Sequence, residues 1–384
     1  MTDEDKTEAS LGKLDTEAVK SETNLHEKAK AIGFKPSEIA ELKRLYPDLK
    51  LTVMNLFLLI MPALLVSGCV STVLDVDTKA SQPIPIKLVR EMSTKSMLPS
   101  DPILVRIFKQ ESELEIWKRN KSVKMALLKI YPMCRWSGKL GPKKKNGDRQ
   151  APEGIYHVSA SMLNPRSKYH LSFNLGYPNK LEAALGYTGE ALMVHGACSS
   201  SGCFAITDEG VGEVYAVARE ALKGEQSSFQ VQAFPFRMTP ENMAKNREDP
   251  NYRFWEDLKV AYDFFDIRRQ RPKVSYCDER YVFESSLPAS ADPLAACPPI
   301  MIADPLVLAK TKADQEKIAS LLQTGEVVTA YSYSDGGMHP AFRQQLKSTG
   351  AKTLADRTSF TSVPISRPKS ALSDPYLPSA RQEN

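Results

Sequence analysis

The run of β-forming segments after Ile103 constrains the fold more than any other feature of the chain. "ILVRIFK" and "LEIWKR" cluster or alternate β-formers on either side of the polar "QESE", which reads as a hairpin. "VKMALLKIYPMC" continues as a third strand, followed by the Gly/Lys loop "SGKLGPKKKNGDRQAPEG". "IYHVS" and "YHLSFNLGY" are further strands, separated by a turn at Asn164-Pro165, and "ALMVH" is a short apolar run. After that the period changes. Thr207 or Asp208 caps a helix with Val211, Val214, Tyr215, Ala218 and Leu222 on one face, stopped by Gly224. "FQVQAF" is the next strand, and "TPENMAK" opens a helix with Thr239 as N-cap and Pro240 at the first position. "YRFWEDLKVAYDFFDIRRQ" reads as a longer helix ended by Pro272, with Trp255, Tyr262, Phe264 and Phe265 in the core. The expected fold is mainly β with flanking helices, an α+β domain over residues 101–288.

The flanks read differently. Residues 1–53 are a polar extension, 54–74 an apolar segment and 75–100 a linker marked by Pro83, Pro85 and Pro99. Residues 289–347 read as an extension with one helix near Asp304–Thr324, and 348–384 as a polar, disordered tail. The apolar run Leu56–Val66 is too short for a comfortable bilayer span and suits a signal-peptide core. It ends in Val66-Ser67-Gly68-Cys69, which resembles the lipobox of bacterial lipoproteins and would make Cys69 the lipidation site. The competing readings are a membrane anchor from about Leu51 to Leu74, held inside by Lys43, Arg44 and Lys50, and a buried helix. Lipoprotein and anchor both export everything after residue 75, so a periplasmic, membrane-held location is expected. Either Met54 is the true start or residues 1–53 stay cytoplasmic; a start at Met54 leaves almost no positive n-region.

A net charge of +5 over 384 residues is mild, and no run interleaves basic and aromatic residues, so nucleic acid is not an expected partner. A negatively charged cell-wall glycopeptide is compatible with that charge. Export would place the cysteines in a disulfide-permissive compartment. With Cys69 set aside as a lipid site, Cys134, Cys198, Cys203, Cys277 and Cys297 remain, an odd number that leaves at least one thiol unpaired. Parity alone would pair Cys277 with Cys297.

"MVHGACSSSGCFAITD", Met193 to Asp208, puts His195, Cys198 and Cys203 within nine residues. As a metal clip it offers His-x2-Cys and Cys-x4-Cys spacings but no second knuckle, although Cys134, His157 or His170 would complete a set. As a disulfide loop it would join Cys198 to Cys203 or to Cys134, and explains neither the histidine nor Gly196 and Gly202. As a nucleophile it offers Cys203 as thiolate and His195 as base. Gly202 would let the backbone approach a substrate carbonyl, and the helix starting near Thr207 would favour the thiolate.

Ser200-x-Gly202-Cys203 with His195-Gly196 upstream resembles the signature of the L,D-transpeptidase (YkuD-type) family, and the short His-to-Cys gap is similar to its YafK-type branch. "YPMCRWSGKLGPKKKNGDRQAPEGIYHV", "NPRSKYHLSFNLGYPN", "LMVHGACSSSGC", "FPFRMTPENM" and "FWEDLKVAYDFFDIRRQRPKVS" resemble segments of that branch in the same order, over about residues 100–285. The resemblance implies the L,D-transpeptidase catalytic domain fold and cysteine acyl transfer on peptidoglycan stem peptides, without a cofactor or metal. Cys203 would attack the diaminopimelate carbonyl, His195 would act as base, and the Gly196 carbonyl would orient the imidazole. Backbone N–H groups at Ser201–Cys203, in a loop shaped by Ser200 and Gly202, would bind the oxyanion. The branch implies hydrolysis of a diaminopimelate–lysine link to a wall-bound lipoprotein or outer-membrane protein. The alternatives are a transpeptidase, forming cross-links or attaching a protein to the wall, and a wall-binding or zinc-stabilised lipoprotein without turnover. Ala205 stands where many transpeptidases carry Arg or Asn. Asp148, Arg149, Tyr169 and Asn174 are candidate substrate contacts, weighed against an Asp148/Arg149 loop ion pair and simple aromatic packing. Lys143-Lys144-Lys145 reads as a solvated run.

Overall fold

The computed structural model describes residues 78–288, 290–298, 304–325 and 333–372, all within the compact unit Gly68–Asn384. Cys69 and the apolar run at 56–66 lie outside the described residues, as do the extension 1–53 and the end of the tail beyond 372. The strands are β1 (Ile103–Phe108), β2 (Glu113–Arg119), β3 (Met125–Pro132), β4 (Arg135–Trp136), β5 (Gly154–Ser159), β6 (Leu163–Asn164), β7 (Ser172–Asn174), β8 (Met193–His195), β9 (Phe204–Ala205), β10 (Ser228–Phe234), β11 (Val274–Cys277) and β12 (Arg280–Phe283). The helices are α1 (Ile86–Thr94), α2 (Lys180–Ala184), α3 (Asp208–Lys223), α4 (Pro240–Lys245), α5 (Tyr252–Arg268), α6 (Pro305–Gln323), α7 (Pro340–Thr358) and α8 (Pro368–Ala371).

One sheet runs β3-β2-β1-β10-β5, with only β1 and β10 parallel. Every residue of β1 is buried, because the sheet is covered on both faces. Ile103, Val105 and Ile107 enter the main core with Val214 and Val217 of α3; Phe108 faces the other way, to Trp255 and Leu258 of α5. Arg106, on that second face, is neutralised by Asp266 at 2.8 Å and lies over the Tyr262 ring at 4.4 Å. A second sheet, β4-β9-β8-β7-β6, carries the His/Cys segment, and β11-β12 form a separate pair. Mixed sheets flanked by helices are what the strand and helix periods predict.

Two expectations for the flanks and one for α5 need revision. Residues 75–100 are not a plain linker: Pro85 occupies the N-cap of α1, and Leu88 and Met92, one turn apart, join Ile84 and Met97 in the main core. Residues 348–372 are not disordered. α7 crosses position 348, and Leu346, Leu354, Ala355, Ile365 and Ala371 close a core around Cys134 and Cys198. Their apolar residues are too widely spaced to show a stripe, yet each meets a preformed surface. α5 ends at Arg268 on a left-handed Arg269 (φ 53°), before Pro272 is reached.

Candidate active site

β8 and β9 are parallel neighbours, Val194 opposite Phe204 and His195 opposite Ala205. Parallel strands usually need a connection of about a dozen residues or more. Here residues 196–203 fold back in a tight loop, which explains the short His-to-Cys gap. β7 lies on the other side, with Ser172 opposite His195 and Asn174 opposite Met193. Opposed and alternate residues share a sheet face, so Ser172, Asn174, Met193, His195 and Ala205 form one row. Cys203 stands immediately before β9, two residues from Ala205, and its Sγ lies 3.8 Å from the Ala191 carbonyl.

His195 is buried, and its Nδ1 lies 2.5 Å from the Gly196 carbonyl oxygen. A carbonyl only accepts, so Nδ1 carries the proton and Nε2 keeps its lone pair. Burial pushes the imidazole down to about 4, against the Gly196 bond and the Asp208 charge, so it is neutral at pH 7. Tyr169 stacks on the ring, centroids 4.7 Å apart. Cys203 is half-buried and, among the described cysteines, the one free thiol. Burial pushes that thiol up, against a Met193 backbone bond and the Lys143 ammonium. The helix-dipole expectation of a favoured thiolate is therefore reversed, because desolvation is the larger effect. The imidazole is thus neutral and the thiol protonated.

The loop between them is fastened at nearly every residue. Gly196 donates to the Tyr169 carbonyl at 3.1 Å, and a Cβ there would collide with Asp208 Oδ1. Asp208 Oδ1 accepts from Ala197 N at 2.8 Å, and its Oδ2 from Phe360 N at 2.6 Å. Cys198 is bonded to Cys134. The pairing removes Cys198 as a thiolate ligand, which undoes the His195–Cys198–Cys203 metal clip. Ser200 Oγ donates to the Cys203 carbonyl at 2.7 Å. The Ser200 backbone is gripped on both sides by Ser366 Oγ, which accepts from its N–H at 2.9 Å and donates to its carbonyl at 3.1 Å. Gly202 takes φ +116°, and its N–H donates to Ser137 Oγ at 2.6 Å. Its N–H is spent there, which takes Gly202 out of the set of backbone donors expected at Ser201–Cys203.

Arg149 comes to the same place, donating to Ser201 Oγ at 3.0 Å and to the Ser200 carbonyl at 3.1 Å, while pairing with Asp335 at 3.0 Å. Asp148 does not join the thiol and imidazole: it pairs with Lys143 and accepts from Lys145 N and Gln150 N. The expected Asp148–Arg149 pair is thus replaced by two pairs with other partners. Asn174 lies in the row but turns its Oδ1 to Gly176 N at 2.9 Å.

No family model matches the chain. The protein YafK of Escherichia coli (strain K12), named as an L,D-transpeptidase, is 40% identical over 193 residues, which cover 50% of this chain and 78% of that one. Its counterpart from Escherichia coli O157:H7 matches equally. The chain belongs to the L,D-transpeptidase family. Membership links it to peptidoglycan-modifying L,D-transpeptidase activity. Two solved structures overlay loosely. The helical cell shape determining protein Pgp2 of Campylobacter jejuni is 17% identical, with TM-score 0.28, covering 49% of this chain and 79% of that one. Bd1075 of Bdellovibrio bacteriovorus is 13% identical, with TM-score 0.25, covering 46% and 75%.

In this member of the family, Ala205 is fully buried with Cys134, Cys198 and Phe342, so α7 fills the space near it. Several residues around the loop escape sequence reading. Ser137, Asp335 and Ser366 are far from the loop in sequence and carry no spacing signal. Lys143 does carry one, but misleadingly: its side chain is buried, with its ammonium 2.8 Å from the Lys145 carbonyl. Only Lys144 and Lys145 of that run are exposed.

Proposed function

We propose that this chain is a thiol hydrolase of peptidoglycan, cleaving the amide that joins the diaminopimelate carbonyl of a stem peptide to a lysine of a bound protein. The observation that carries the reading is a free Cys203 thiol at the far end of the short loop that starts from a neutral His195, whose Nδ1 is fixed by Gly196. Nε2 of His195 takes the thiol proton as Sγ bonds to the carbonyl carbon. The oxygen that gains charge is met by the Ser201 and Cys203 N–H groups. The imidazolium then passes its proton to the departing lysine amine, leaving a thioester. Water attacks that thioester with His195 as base, and the acid leaves. With an amine in place of water the same thioester yields a cross-link, the transpeptidase outcome. Two disulfides, Cys134–Cys198 and Cys277–Cys297, support an exported, periplasmic location, with Cys69 or the apolar run as the membrane attachment.

The test incubates the full-length protein with muropeptides, some carrying a lysine-linked peptide, and identifies products by mass spectrometry. Released peptide without new dimers is the expected result. New diaminopimelate–diaminopimelate dimers would make the protein a transpeptidase, and no turnover at all would leave a wall-binding protein. Cys203→Ala is expected to lower product formation by about a thousandfold or more while leaving the circular dichroism spectrum unchanged. Full activity in that variant would remove the thiol from the mechanism.

A further inference from the structure

Beside the His/Cys loop three guanidinium groups converge on one carboxylate. Asp335 Oδ2 lies 3.0 Å from Arg149, 3.3 Å from Arg367 and 3.5 Å from Arg135, and its Oδ1 accepts from Gly138 N at 3.0 Å. Among the described residues no other carboxylate is in ion-pair range of the three, so the cluster keeps an excess of positive charge. The three arginines are not equivalent. Arg135 is fully buried and spends its donors on the Ser366, Trp136 and Asp335 carbonyls, a structural use. The side chains of Arg149 and Arg367 are 26% and 58% exposed, and both reach the same oxygen, which sets their guanidinium groups side by side at the surface. Two adjacent cations repel, and an incoming anion relieves that repulsion as well as accepting their hydrogen bonds. Arg149 also holds Ser200 and Ser201, two to three residues from Cys203. Arg367 lies beyond the stretch of about 100–285 that carries the family resemblance, so this pair depends on the C-terminal segment packing where it does.

We propose that Arg149 and Arg367, propped on Asp335, form a subsite for a free carboxylate of the stem peptide. The inference rests on the peptidoglycan reading above. It makes the C-terminal segment part of substrate recognition and predicts discrimination against stems in which that carboxylate is amidated.

The test titrates full-length Cys203→Ala protein, in detergent micelles, with a synthetic stem. The parent is L-Ala–γ-D-Glu–diaminopimelate with lysine joined to the diaminopimelate carbonyl through its side-chain amine. Three analogues each carry one amidated carboxylate, on glutamate, on the distal diaminopimelate centre or on lysine. One analogue is expected to bind about tenfold more weakly than the parent, which identifies the carboxylate. Adding Arg367→Ala should weaken the parent by the same factor and leave that analogue unmoved, and Arg367→Lys should recover part of the loss. Arg149→Lys, which keeps the charge and loses the fork, should weaken the parent in the same selective way. Equal binding of all four peptides, or an Arg367→Ala protein that still prefers the parent, overturns the subsite and leaves the peptidoglycan reading standing. A parent peptide that binds neither protein overturns both.

Discussion

His195 and Cys203 are set by opposing needs. A buried imidazole is neutral and so ready to accept a proton, yet the same burial keeps the thiol protonated. In the proposed mechanism, proton transfer must therefore accompany attack. The pH dependence follows with a definite sign. The folded imidazole titrates at about 4 rather than its usual 6.5, so the base is competent above about 4 and lost below it. kcat/KM measured against pH on a lysine-linked muropeptide is expected to fall through about pH 4, with no acid limb near 6.5. An acid limb near 6.5 would mean that the imidazole is not buried during the reaction. Between those two values the unfolded chain binds a proton that folded His195 refuses, so this group also withdraws stability as pH falls from 6.5 toward 4. At this scale the proposed site is written locally in the sequence. The thiol, the base and the carbonyl that orients it are adjacent in the chain, and their chemistry is carried by residue type. Lys143 was misread because a triplet of lysines looks solvated whichever of them turns inward.

Among the elements, the C-terminal segment from Asp335 to Arg367 has most influence on the loop. It reaches the loop directly through Ser366 on the Ser200 backbone and indirectly through Phe360 N on Asp208, which holds Ala197 N, and it supports Arg149 through Asp335. Ser366 holds both polar groups of one peptide residue, so its loss frees a loop whose N–H groups must meet a developing charge. Ser366→Ala is expected to lower kcat about tenfold with KM within about twofold, and Ser366→Thr to restore most of it. A change in melting temperature without that split would make Ser366 structural only. The regular elements were readable where a periodic stripe or a cap marks them: Thr207 on α3, Thr239 and Pro240 on α4, and the β1–β2 hairpin. α7 was not, because Phe342, Leu346 and Leu354 are spread over a kink at Gly350 and its mean pattern is polar.

For the whole molecule, the Cys134–Cys198 bond joins the strand region before β4 to the His/Cys loop across 64 residues. Closing a loop of that length removes unfolded-state entropy worth roughly 4 kcal/mol. Replacing both cysteines by alanine is expected to lower the melting temperature by roughly 10 °C. Alkylation of the native, unreduced protein followed by peptide mapping should mark Cys203 and leave Cys134, Cys198, Cys277 and Cys297 unmodified. Label on Cys198 without reduction would contradict the pairing.

Strand and helix periods, the caps, the odd cysteine and the motif at 193–203 marked out the fold class and the candidate site, because each is a local property written in neighbouring residues. They could not say which cysteine partners Cys198, which end of the lysine run is buried, or that residues 335–367 close over the site. Those facts depend on how the folded chain meets itself, and for residues 335–367 on surfaces more than a hundred residues apart in sequence meeting in space. Folding alone brings Asp335, Ser366 and Arg367 to the loop that carries Cys203.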